Sequence, residues 1–113
     1  MSRDQASLLD VARAAELVLT FKQDVDKEMF HNDIKTQSAI LHQLLIMGEA
    51  VKRLSMPFRD AHPEIDWKSI AGLRDILIHG YDIVDLDLVW VIAEEQVPKL
   101  LKQLTPLLPR QDS

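Results

Sequence analysis

"IKTQSAILHQLLIMGEAVKRL", residues 34–54, decides the fold class. Ile34, Leu41, Leu44/Leu45, Gly48, Val51 and Leu54 recur at three-to-four spacing on one side, and nothing in the stretch alternates as a strand would. An amphipathic helix follows, with Asn32 or Asp33 placed to cap its start. Gly48 costs a helix interior about 1 kcal/mol against alanine. A glycine there marks either the close approach of another backbone or a tolerated accident, and the spacing alone leaves both open.

Working outward, Leu8, Ala12, Ala15, Val18/Leu19 and Val25 predict a first helix from Gln5 to Glu28, capped by Asp4 or Ser7. "FHND" (30–33) reads as the turn that follows. Downstream, "SMPFRDAHPEID" (55–66) carries two prolines and reads as a connection holding at most a short helical turn. Asp66 then caps a helix that begins at Trp67, runs through Ile70, Leu73, Ile76 and Leu77, and ends on Gly80 in the left-handed cap conformation. A last helix starts after Asp85 with Leu88, Val89, Ile92 and Ala93 facing inward. Pro98 should kink or restart it before Leu100, Leu101, Leu104 and Leu107/Leu108 continue the apolar face. The expected architecture is all-α, an antiparallel bundle of four main helices in one domain over 1–113, fraying from 109. Trp67 and Trp90 fall at core spacing.

Composition narrows the function. The 113 residues hold no cysteine, so disulfide frameworks and thiolate metal sites are excluded, as suits a cytoplasmic location. The start is not a signal peptide, and the longest apolar run, "LVWVIA" (88–93), is far too short to span a bilayer. His31, His42 and His62 share no ligand spacing with one another or with a carboxylate, so no structural metal is expected. No cofactor is expected either, since the three dispersed glycines make no phosphate loop. The net charge of −5 argues against wrapping duplex DNA. Glu49 to His79 is neutral, however, so an anionic ligand meets the least hostile surface there.

"GLRDILIHGY" (72–81) lies in that segment. On a continuous helix Arg74 and His79 would point about 140° apart, whereas Asp75 and His79, four apart, would share a face. Asp75 would then accept a hydrogen bond from one imidazole nitrogen and leave the other free. A histidine before a capping glycine also suits a helix end through the macrodipole alone, so spacing by itself favours helix-end chemistry over a site. Tyr81, just past the glycine, reads equally as exposed or as packed against a second copy. Asp82, Asp85, Asp87, Glu94 and Glu95 follow with no basic residue until Lys99. They are capping and solvated residues, or a docking surface for a basic partner.

Arg74-x4-His79-x-Tyr81 resembles the signature of the HepT-like branch of HEPN-domain ribonucleases, the toxin halves of type VII-like HEPN–MNT (minimal nucleotidyltransferase) toxin–antitoxin systems. "MGEAVKRLS" (47–55), "HPEIDWKSIAGLRDILIHGY" (62–81), "VDLDLVW" (84–90) and the Pro-Lys-Leu-Leu near the end extend the resemblance over nearly the whole chain. It implies a homodimer of helical bundles, with two copies of the motif facing each other across a cleft, that cleaves RNA without a metal. His79 would be the general acid/base, Arg74 the phosphate clamp and Asp75 the orienting residue, at a position where relatives often carry Asn. A cognate nucleotidyltransferase antitoxin would transfer AMP to Tyr81 and silence the enzyme. "DIVDLDL" departs from relatives that carry an aromatic residue and a glycine after the tyrosine. Two other classes stay open: a nucleotide- or RNA-binding subunit that completes a nucleotidyltransferase, and a helical dimerisation protein whose motif is only a helix end.

Overall fold

The computed structural model describes residues 1–109. Three long helical rods carry the core. The first, α1 (Arg3–Lys22), starts earlier than expected, because Ser2 takes the extended capping conformation. The Ser2 hydroxyl accepts from the Gln5 N–H and the Gln5 side chain accepts from the Ser2 N–H, a reciprocal capping box. Neither Asp4 nor Ser7 is the cap. Ser7 is buried in the α1 core face, and Asp4 bonds elsewhere. The helix also stops well short of Glu28. Asp24 adopts a left-handed conformation (φ 61°), which aspartate tolerates better than most residues. A separate short helix, α2 (Lys27–His31), follows, capped by Asp26 through the Met29 N–H at 2.8 Å. The break has a tertiary cause: it turns Phe30 into the core, fully buried, its ring 5.4 Å from that of Trp90.

The second rod is α3 (Ile34–Lys52), capped by Asp33. Its buried stripe is Ile40, Leu44, Met47, Gly48, Ala50 and Val51. The stripe begins later than the sequence suggests, since Ile34 is exposed and Leu41 and Leu45 are half-buried. Helix α1 packs along α3. The pair is antiparallel, because the start of α1 meets the end of α3: Asp4 accepts from both the main-chain N–H and the hydroxyl of Ser55, each at 2.7 Å. Ser55 in turn caps α4 (Met56–Ala61), with Pro57 in the first turn, where a missing N–H is harmless.

Asp66 caps α5 (Trp67–Ala71) as expected, and Trp67 is buried with its indole N–H donating to the His62 carbonyl at 3.0 Å. The expected single helix is divided at Gly72, after which α6 (Leu73–Leu77) runs on for little more than a turn. It does not reach Gly80. Ile78 is already extended (φ −117°, ψ 122°), and β1 (Ile78–His79) pairs antiparallel with β2 (Ile83–Val84). Gly80 does have positive φ (71°), but in the hairpin loop rather than at a helix end. The third rod joins α7 (Leu86–Val91), a π-helical turn (Ile92–Gln96) and α8 (Val97–Leu104), with Asp85 as the cap. The wide turn sits immediately before α8 and starts a new α-helix with Pro98 in its first turn. That is the restart expected at Pro98, made without a break in helical backbone. A 3₁₀ turn (Thr105–Leu107) follows. Of the expected fraying tail, all but Pro109 lies outside the described residues. No described helix is long and apolar enough to cross a membrane.

Candidate active site

Helix α6 is held by its two buried leucines, Leu73 and Leu77, which press its inner face on the core. That leaves Arg74, Asp75 and Ile76 on the outer face, all exposed. The chain then switches to strand. Ile78 and Val84, directly opposite in the ladder, are half-buried against the core, so the alternation of a strand sends His79 and Ile83 outward together. The Leu77 carbonyl accepts from the Asp85 N–H at 2.8 Å and closes the base of the hairpin where α7 begins. Tyr81 stands in the loop, 91% exposed.

The shared helical face of Asp75 and His79 therefore does not exist, because His79 is not on the helix. No hydrogen bond or ion pair joins the side chain of Arg74, Asp75, His79 or Tyr81 to any other described residue. All four are free to act on something outside this chain. In the single chain Tyr81 stands on the surface.

One group near Arg74 is not apparent from the motif. The Glu49 carboxyl on α3 is held below its ordinary range, first by its bond to Lys52 and then by the charges of Lys52, Arg53 and Arg74. Lys52 pairs with this carboxylate at 2.9 Å, while Arg53 and Arg74 add only weaker attraction without contact. The signal is present in "GEAVKR" (48–53), but only packing places it beside a helix twenty residues on. The acidic run after Tyr81 resolves mostly into internal partners: Asp85 caps α7, Asp87 bonds His31 at 2.9 Å, and Glu94 pairs with Lys22. Lys22 also lies 4.9 Å from the Trp90 ring centre. Among the described residues no group of three or more His, Asp or Glu side chains is placed to hold a metal.

A helical chain with an arginine and a histidine exposed either side of a helix–hairpin junction matches a family model described as "Ribonuclease HepT-like" over residues 11–107. The chain belongs to the HepT-like ribonuclease family. Relatives agree: "Putative RNase MJ1380" of Methanocaldococcus jannaschii is 38% identical over 88% of this chain and 92% of its own. "Probable ribonuclease HepT" of Thermococcus cleftensis is 42% identical over 82% and 84%. "Putative RNase TTE0752" of Caldanaerobacter subterraneus is 32% identical over 98% and 99%. No solved structure matches the chain at a significant level. The HepT-like match runs from within α1 to the 3₁₀ turn, so residues 74–81 lie inside the matched stretch.

Proposed function

We propose that the protein is an endoribonuclease, the toxin of a type VII-like HEPN–MNT pair, cleaving RNA at a site built from Arg74 and His79. The observation that carries the reading is the uncommitted state of those two side chains in a family of ribonucleases. A guanidinium is always charged and fits phosphate, so Arg74 clamps the scissile group and offsets the negative charge of the pentacoordinate transition state. An imidazole exchanges protons near neutrality. His79 takes the proton from the ribose 2′-OH as that oxygen attacks phosphorus, or supplies one to the 5′-oxygen as its bond to phosphorus breaks.

Two chains facing across a cleft supply both roles at once, one histidine as base and the other as acid. The homodimer is therefore part of the proposal, as are cytoplasmic action and independence of metals. Asp75, next to Arg74, orients these groups across that cleft. Tyr81 is the acceptor for AMP from a cognate nucleotidyltransferase. Its phenolic oxygen bonds the α-phosphorus of ATP, pyrophosphate leaves and the phenolic proton is released. The added charge and bulk beside Arg74 and His79 then block RNA.

The test is cleavage of end-labelled RNA in EDTA by unmodified native protein, beside His79→Ala. Native cleavage should fall by about 10²–10⁴ in the variant. Cleavage that survives His79→Ala would sink the mechanism. Asp75 beside Arg74, and the net charge of −5, favour a second reading in which the chain only binds RNA or nucleotide. RNA binding that persists in His79→Ala, with no cleavage by either protein, would select that reading.

A further inference from the structure

The register of the short hairpin assigns Ile83 a neighbour, and the neighbour is His79. Residues directly opposite in an antiparallel pair have their Cβ atoms about 4.5–5.5 Å apart and point to the same side. Their inner counterparts, Ile78 and Val84, are spoken for by the core, whereas Ile83 is 63% exposed and turned away from it. A β-branched apolar side chain thus stands in water directly beside the imidazole. The ladder fixes it there, and the closing bond from the Asp85 N–H to the Leu77 carbonyl holds the ladder. Asp82 and Tyr81 precede it in the loop and bring no cation, and the isoleucine itself offers phosphate nothing to bond.

We infer that Ile83 is a base-contacting residue: its apolar face receives the nucleobase of the nucleotide whose ribose His79 addresses, and so selects which base precedes the cut. This rests on the ribonuclease reading above. The base is carried on the sugar carbon next to the one that bears the 2′-OH, so it lies beside whatever acts on that hydroxyl, and Ile83 is the residue the ladder puts beside His79. Every base has a flat apolar face that packs on such a surface without needing charge, so what the side chain tells apart is stacking strength, greater for the larger purines. The side chain touches the base, not the reacting atoms. It changes which nucleotide is chosen, while the proton transfers stay with His79.

The measurement is sequencing of the 3′ ends of the upstream fragments, after removal of the terminal phosphate, from an RNA pool randomised around one cut site, for native protein, Ile83→Gly and Ile83→Thr. Threonine keeps the β-branched strand former while shortening the apolar face and placing a hydroxyl in it, so a hairpin lost in Ile83→Gly cannot imitate the result. Native protein should prefer some bases before the cut over others by about five- to tenfold. Both variants should still cut, with that preference flattened towards equality and the KM for the preferred sequence raised. An identical base preference in the native protein and Ile83→Thr would overturn the inference while leaving the nuclease intact. A halved mass in light scattering for Ile83→Thr would overturn it too, by assigning the side chain to contact with a second copy. No cleavage by the native protein would overturn the nuclease reading and this one with it.

Discussion

A Cβ built on Gly48 would lie 2.8 Å from the main-chain oxygen of Ile70, closer than real Cβ atoms come. Helix α3 therefore touches the backbone of α5 at this residue, and α6 with Arg74 follows one residue after α5. The spacing of residues 34–54 leaves the glycine's meaning open; the contact decides for close approach.

Gly48→Ala should therefore destabilise the protein although alanine is the better helix former by about 1 kcal/mol. The obstacle is main chain and cannot swing aside, so α5 must lift, and a net loss on the order of 1–2 kcal/mol is expected in urea unfolding. Lifting α5 also displaces Arg74. RNA cleavage should fall by roughly tenfold or more even where the variant is fully folded.

Gly80 poses the opposite case. A Cβ there meets nothing within 4 Å, and only the backbone angle (φ 71°) objects. Left-handed conformation costs an ordinary residue roughly 1–2 kcal/mol, less for asparagine and more for β-branched side chains. Activity and thermal midpoint should rank Gly80 above Gly80→Asn, then Gly80→Ala, then Gly80→Val. Equal behaviour of Gly80→Asn and Gly80→Val would show that the hairpin adapts freely.

Asp4 predicts an acid limb of stability. Its carboxyl is held below its usual value, first by the Ser55 main-chain N–H and then by the Ser55 hydroxyl. A folded value below the unfolded one stabilises the fold above the unfolded pKa of about 3.9 and loses that stabilisation as pH falls through the folded value. Asp4→Asn should lower the thermal midpoint at pH 7, and the gap from native protein should narrow by pH 3. A gap that is constant across this range would mean that the carboxylate charge is irrelevant to the tie.

Tyr81→Phe separates silencing from chemistry. Being almost wholly exposed and bonded to no other described side chain, Tyr81 contributes little to stability, so the substitution should move unfolding by less than about 0.5 kcal/mol. Cleavage should persist. Incubation with the cognate nucleotidyltransferase and ATP should add the mass of AMP to native protein and none to Tyr81→Phe, which should remain active. AMP found on the phenylalanine variant would place the acceptor elsewhere.

The sequence by itself determined where three of the helices, α3, α5 and α7, begin. Asp33, Asp66 and Asp85 cap as their positions predict, because a cap is a bond from one side chain to an N–H three residues on and needs no distant partner. It also carried the family, through Arg74-x4-His79-x-Tyr81 together with the stretches at 47–55, 62–81 and 84–90. Where helices end was decided by the tertiary structure. Asp24 breaks the first so that Phe30 can reach Trp90. Gly72 divides another beneath α3, and Leu77 ends it so that Ile78 and Val84 can pair against the core. Those outcomes trade local helix propensity, worth about tenths of a kcal/mol per residue, against burial of whole side chains worth about 1.5–3 kcal/mol each. The separation of Asp75 from His79 and the pairing of His79 with Ile83 both follow from that burial, which outweighs propensity and which only the packed chain supplies.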